Sequence, residues 1–160
     1  MNLNSVSFSL LSWNVRGLGD SDKCKTVRDT IVSACLDVAC LQEMKLRATD
    51  LSKAKTFLPL NLADFKCVDA IGACGGLITA WDARSLTMTS FIARQRSLTT
   101  YFTSTASGSS TAVTNIYASA DHRDSVAFLE DLAEVAAQIT GSWILMRDFN
   151  LTRGEEDNSN

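Results

Sequence analysis

The 160-residue sequence predicts a single layered α/β sandwich, with a helical unit toward each end and a strand-rich middle. Three observations carry that prediction. Short apolar runs end in polar residues at Ser12-Trp13-Asn14-Val15-Arg16-Gly17, Leu41-Gln42-Glu43 and Arg147-Asp148-Phe149-Asn150. The 29 positions from Asn14 to Glu43 match the ~30 residues of a strand–helix–strand unit. Between Phe65 and Tyr117, Thr and Ser alternate with branched and aromatic residues, as in half-exposed antiparallel strands.

Taken in order, Phe8–Trp13 reads as a first strand, closed by the turn-prone Arg16-Gly17-Leu18-Gly19-Asp20. A helix follows from an Asp20 or Ser21 N-cap, with Val27, Ile31, Ala34 and Cys35 expected on its inner face. Asp37–Gln42 is a second, buried strand. If it runs parallel to the first, Asn14 and Glu43 emerge at the same carboxyl edge, where open α/β sheets bind ligands. Asp50–Leu58 reads as a short helix stopped by Pro59. Strands are then expected at Phe65–Val68, Gly76–Trp81, Leu86–Ala93, Leu98–Thr105 and Ala112–Tyr117, with a polar hairpin loop in the Thr/Ser-rich stretch from Thr103 to Thr111. From Asp124 an amphipathic helix should turn Val126, Leu129, Leu132, Val135, Ala136 and Ile139 inward, with Gly141 stopping it. Trp143–Met146 closes the pattern as a buried strand leading to Asp148.

Composition narrows the function classes. With 46% hydrophobic and 21% charged residues, the chain reads as an ordinary soluble domain rather than a disordered one. Its net charge of −3 argues against indiscriminate coating of nucleic acid, although a local basic patch is compatible with it. Candidates for such a patch are Lys23, Lys25, Arg28, Lys45, Arg47, Arg94 and Arg96, each of which reads equally as solvated surface charge. The five cysteines contain no Cys-x-x-Cys pair and the only histidine is His122, so neither a zinc site nor a disulfide framework is expected. A reducing, intracellular setting follows, with no secretory signal and no membrane-spanning run.

The strand-end residues carry the chemistry. A carboxylate after Val38-Ala39-Cys40-Leu41 is poorly placed for simple solvation, so Glu43 is the first candidate metal ligand. Mg²⁺ is commonly held by one or two carboxylates plus waters and phosphate oxygens. The alternative for Glu43 is a strand-end surface residue. Asn14 can orient a phosphate or a carboxylate, or simply stabilise an Asx turn. Asp148 and Asn150 alternate by two and would share a face on extended chain, suited to polarising water and holding a phosphate, or else to capping a turn. Tyr117 can donate to a phosphate oxygen, or pack as a buried strand-end Tyr.

Together, Trp13-Asn14-Val15-Arg16-Gly17, Leu41-Gln42-Glu43, Gly75-Gly76-Leu77-Ile78 leading to Trp81-Asp82, Asn115-Ile116-Tyr117 and Asp148-Phe149-Asn150 resemble, in order, the motifs of the endonuclease/exonuclease/phosphatase superfamily. The wording is most similar to the endonuclease domain of plant non-LTR (LINE-type) retrotransposons. The resemblance implies a four-layered α/β sandwich and Mg²⁺-dependent (alternatively Mn²⁺-dependent) phosphodiester cleavage. It assigns Glu43 and Asn14 to the metal site, Asn14 and Asn150 to phosphate or site organisation, Tyr117 to phosphate contact and Asp148 to the nucleophilic water. It further implies DNA as substrate, nuclear access, and a reverse transcriptase domain downstream. Two departures accompany it: Arg147 stands where the family carries glycine, and the family's later Asp and Ser-Asp-His motifs have no counterpart here. The expectation is therefore the N-terminal part of such a domain, incomplete at its C-terminus. Two alternatives stay open, a non-catalytic remnant and a phosphodiesterase acting on a lipid or small-molecule substrate. Asp121-His122 precedes Asp148 and reads as loop and capping residues.

Overall fold

The computed structural model describes residues 7–72, 74–117 and 125–147. Strand β1 (Leu10–Asn14) leads through helix α1 (Ser21–Ala34) into β2 (Val38–Gln42), and β1 and β2 pair in parallel with Asn14 opposite Gln42. Helix α1 begins where Asp20 Oδ1 accepts a hydrogen bond from Asp22 N (3.1 Å), satisfying one donor that the first turn leaves orphaned. Its inner face is Cys24, Val27 and Ile31. Ala34 and Cys35, expected inside, are exposed, because the helix ends there with Cys35 in left-handed backbone (φ 51°).

After β2, Asp50 caps the single turn α2 (Leu51–Ala54) by accepting from Lys53 N at 2.8 Å. Pro59 then opens a 3-10 turn at Leu60–Leu62. The expected helix to Leu58 is thus shorter, and residues 55–58 form turns that bury Phe57 and Leu58. Strands β3 (Asp64–Val68) and β4 (Leu77–Trp81) complete a first sheet of order β1-β2-β4-β3, in which β4 is antiparallel to both neighbours. The second sheet has order β5-β6-β7-β8, from β5 (Leu86–Ala93), β6 (Ser97–Ser104), β7 (Ser110–Ile116) and β8 (Ser142–Arg147). Here β5, β6 and β7 are antiparallel, while β7 and β8 are parallel across helix α3 (Ser125–Ala136). The expected strand boundaries hold to within one or two residues, and the Thr/Ser-rich stretch turns the β6–β7 hairpin.

The sheets stack face to face, with Val38, Cys40, Trp81, Leu86, Phe102 and Val113 between them. Trp81 and Phe102 meet edge to face, 5.3 Å between ring centroids. The opposite face of the first sheet packs Leu41, Ile78 and Ala80 against α1 and the 54–62 segment through Val27, Ile31, Phe57 and Leu62. The result is the layered α/β sandwich that the sequence predicts. All five cysteines are free: Cys24 and Cys40 are buried, Cys67 is half-buried, and Cys35 and Cys74 are exposed. Among the described residues no helix is long and apolar enough to cross a membrane.

Helix α3 corrects the sequence reading. Val135 is fully buried, but Val126 and Leu129 are 67% and 61% exposed. Arg94, at the β5–β6 turn, donates to Asp131 at 3.1 Å and to Glu134 at 3.0 Å, which turns that side of α3 toward the sheet. Gly141 does not stop the helix, which ends at Ala136. It enters β8 instead, at φ 101°, where a Cβ would lie 3.1 Å from Ser110 O.

At the β4–β5 turn Asp82 is buried, and Arg84 donates to it through Nε (3.0 Å), Nη2 (2.7 Å) and its backbone N–H (2.9 Å). These contacts, led by the guanidinium, hold the Asp82 carboxyl below the usual carboxylate range. A depressed folded-state pKa stabilises the fold above the unfolded value of about 3.9, and that contribution disappears as pH falls through the folded value. Asp82→Asn should therefore cost about 2 kcal/mol at pH 7, read from urea-unfolding midpoints. The gap between variant and wild type should close as the pH falls through the lowered Asp82 value.

Candidate active site at the carboxyl ends of two parallel strand pairs

The exits of β1 and β2 are laced by backbone bonds that continue past both strands. Val15 N donates to Gln42 O (3.0 Å), Gly17 N to Glu43 O (2.7 Å) and Leu18 N to Met44 O (2.9 Å). On the other side, Met44 N and Lys45 N donate to Gly76 O and Gly75 O at 3.2 and 2.9 Å. The Gly75-Gly76 pair is needed for this approach. Both lie at positive φ, and a Cβ on Gly76 would sit 3.3 Å from Lys45 N.

Within this lacing, three residues other than glycine occupy the left-handed region: Arg16 (φ 53°), Glu43 (φ 52°) and Lys45 (φ 56°). Each conformation costs roughly 1–2 kcal/mol for a residue with a Cβ. Glu43 thus leaves the wholly buried β2 with its backbone turned sharply, and its half-exposed carboxylate receives no hydrogen bond from the described residues. Asn14 is half-buried at the end of β1, and its Oδ1 accepts from Arg16 N at 3.1 Å, the Asx turn foreseen as one of its two roles.

Tyr117 follows β7 and is held by its N–H donating to Arg96 O at 2.9 Å. Its ring lies 3.8 Å from where a Cβ on Gly75 would stand. Partial burial, then the charge of Glu43, pushes its phenol pKa up, with Arg96 opposing. The hydroxyl therefore stays protonated at neutral pH and is available as a donor. A cleft of about 230 Å³ opens beside it, lined by Asp69, Cys74, Gly75, Gln95, Arg96 and Tyr117.

The structure thus brings Asn14, Glu43 and Tyr117 to one edge. Asp148 and Asn150 lie outside the described residues, as does His122. Lys23 and Lys45 belong to the same rim, with Lys23 Nζ donating to Arg16 O (3.1 Å) and the Lys45 side chain 3.5 Å from the Gly17 Cβ position. Arg94 is taken up by α3, and Arg28 reaches the Lys55 carbonyl at 3.4 Å. Among the described residues no group of three or more His, Cys, Asp or Glu side chains could hold a metal ion. The donor set fits a hard cation anchored by Glu43 and completed by waters and phosphate oxygens, and it does not fit an all-protein cage.

A larger hollow of about 500 Å³ lies at the opposite end of the sheets, beside Asp37, Asp82 and Arg84. Its carboxylates are already engaged: Asp37 accepts from Ser9 N and Ser85 Oγ (both 2.8 Å), and Asp82 from Arg84. Two residues of the first site carry no role in the sequence reading, Gln42 and Asn115. They meet between the sheets at 2.8 Å, and the available signal was an amide inside an otherwise buried strand.

The architecture is that of the endonuclease/exonuclease/phosphatase type. Among solved structures the chain is similar to the Xenopus laevis APE2 catalytic domain (TM-score 0.64, 17% identity, covering 91% of this chain and 59% of that one). It is likewise similar to an endonuclease/exonuclease/phosphatase family protein from Bacteroides thetaiotaomicron (0.65, 13% identity, 95% and 65%). The Leishmania major AP endonuclease LMAP matches over a shorter stretch (0.53, 21% identity, 70% and 40%). This chain therefore spans about two-fifths to two-thirds of those structures, and at these identities the likeness is one of fold. No protein-family profile and no curated protein sequence matches it.

Left-handed Glu43 makes a prediction that separates fold from site. Glu43→Gly should raise folding stability by about 1 kcal/mol in chemical denaturation, since glycine enters this region without strain. The same substitution should weaken Mn²⁺ binding, read by electron paramagnetic resonance. Glu43→Ala should weaken binding equally and leave the strain in place.

Proposed function

We propose that this chain carries the reacting edge of a metal-dependent phosphodiesterase acting on DNA, an endonuclease of the LINE-type retrotransposon kind. The single observation that carries the reading is Glu43, a carboxylate held in left-handed backbone at the end of a buried strand and close enough to Tyr117 to raise its pKa. Strained backbone kept at a ligand-facing edge is where binding residues are commonly held. Support for a DNA substrate comes from the similarity to an AP endonuclease and to APE2, and the retroelement assignment rests on the order and wording of the sequence motifs. A reverse transcriptase domain would be the natural partner in a longer protein.

Glu43 would hold Mg²⁺, which when bound supplies positive charge to the scissile phosphate and the leaving oxygen. Asn14 orients the carboxylate or a phosphate oxygen from the neighbouring strand end. Tyr117, protonated at neutral pH, donates to a non-bridging oxygen and gains strength as charge builds there. Asp148, the residue after β8, takes the proton of the attacking water, and Asn150 holds the phosphate in line. The new phosphorus–oxygen bond forms opposite the sugar oxygen, which departs as the old bond breaks.

Supercoiled-plasmid nicking in the presence of Mg²⁺ tests this. The wild-type chain should convert plasmid to open circles, EDTA should stop it, and Glu43→Ala should reduce it to background. Tyr117→Phe should lower the rate about 100-fold, the usual cost of one oxyanion donor. Metal-independent nicking that survives Glu43→Ala would sink the assignment. Cleavage of phosphoinositide or sphingomyelin headgroups without nicking would move the substrate to lipids. Inactivity on all three would identify a non-catalytic form of the fold.

A further inference from the structure

We propose that Ser12, Gln42 and Asn115 form a positioning network that sets the spacing of the active-site residues across the two sheets; this rests on reading that edge as a phosphodiesterase centre. The three residues stand directly beneath the three site residues. Ser12 is two positions before Asn14, Gln42 immediately precedes Glu43, and Asn115 is two positions before Tyr117. Residues two apart on extended chain share a face, so Ser12 and Asn115 lie one layer deeper than Asn14 and Tyr117, while Gln42 is the last residue of β2 before the chain turns at Glu43.

The contacts are short and enclosed. Gln42 Nε2 donates to Asn115 Oδ1 at 2.8 Å, to Ser12 Oγ at 3.0 Å and to Cys40 O at 3.2 Å. Asn115 Nδ2 donates back to Ile78 O at 2.9 Å and Leu41 O at 3.2 Å, with Thr79 Oγ1 at 3.4 Å. Gln42 and Asn115 are 1% and 0% exposed. Turning the Gln42 amide over would set its oxygen against Cys40 O and Asn115 Oδ1, so the acceptors fix its orientation. One group of atoms thus joins β1, β2 and β4 of the first sheet to β7 of the second, a single residue or two below the chemistry.

The arrangement is not what stability alone would select. Among the described residues Gln42 Oε1 is buried and has no hydrogen-bond partner, which costs the fold its desolvation. An apolar pair of the same volume would avoid that cost. What an amide pair adds is direction: it fixes how far Tyr117 stands from Glu43, a distance that apolar packing specifies loosely.

The test uses the whole chain and the near-isosteric variant Gln42→Met. With plasmid DNA and Mg²⁺, kcat should fall about 10- to 100-fold with KM little changed, the cost of a misplaced catalytic group. The swap Gln42→Asn with Asn115→Gln, which keeps two amides and their summed length, should recover part of that loss. Hydrogen exchange gives a readout independent of turnover. The amides of Gly17, Met44 and Tyr117 should exchange faster in Gln42→Met, while those of Asp82 and Leu86 at the far end stay as in wild type. Uniform acceleration at both ends, or a kcat that follows only the unfolded fraction, would overturn the proposal. If Gln42→Met does not fold, Ser12→Ala reads the same contrast through the loss of one acceptor. Should the wild type cleave nothing, the phosphodiesterase reading fails, and the exchange pattern still decides whether the network governs that edge.

Discussion

The fold turns on the requirement that Asn115, buried between two sheets, find partners for both its donors and its acceptor. Leu41 O, Ile78 O and Gln42 Nε2 supply them, at 3.2, 2.9 and 2.8 Å. The hydrophobic cluster of Val38, Cys40, Trp81, Phe102 and Val113 holds the sheets together, but burial is non-directional and would accept several placements. A one-residue slip of β7 would turn Asn115 to the outer face and strand the facing polar groups. Register, sheet stacking and the height at which each strand emerges are therefore one choice.

Much of this was legible in the sequence because it is local. Asp20 and Asp50 cap the helices they precede, and Pro59 ends the turns before it, since each acts on backbone within three residues of itself. The parallel β1–β2 pair followed from chain length alone. Helix α3 was misread because its periodicity shows that a stripe exists without saying which element meets it. Arg94, 37 residues from Asp131, decides which side turns inward. Asn14 had two readings from local sequence, and the bond from Arg16 N establishes the Asx turn. Gln42 and Asn115 were invisible for the same reason as Arg94: their partners are 73 residues apart in the chain.

The left-handed residues belong to the same logic. Arg16, Glu43 and Lys45 each carry a backbone cost, and all three stand where β1, β2 and the Gly75-Gly76 loop are joined by backbone hydrogen bonds. Those bonds over-determine the path, so the strain persists without loosening the loop. A glycine at 43 would be easier on the fold but would carry no carboxylate. The sequence keeps the carboxylate and lets the surrounding lattice of amides and carbonyls hold it.

The topology distinguishes the two ends of the sandwich. Each sheet contains one parallel pair, β1–β2 and β7–β8, and the Gln42–Asn115 contact shows that both pairs point their carboxyl ends the same way. Four strand exits therefore converge on one edge, and β4 enters there through glycines that leave room for backbone. Residues just past a strand's last ladder bond have polar groups the ladder no longer uses, which is why ligands gather at the carboxyl edges of such sheets. At the opposite end the carboxylates of Asp37 and Asp82 are tied to Ser9, Ser85 and Arg84, so the larger hollow there is enclosed by groups already engaged. The larger cavity lies at that tied-off end; the Glu43 carboxylate, without a hydrogen bond among the described residues, and the protonated Tyr117 mark the other end as the candidate site.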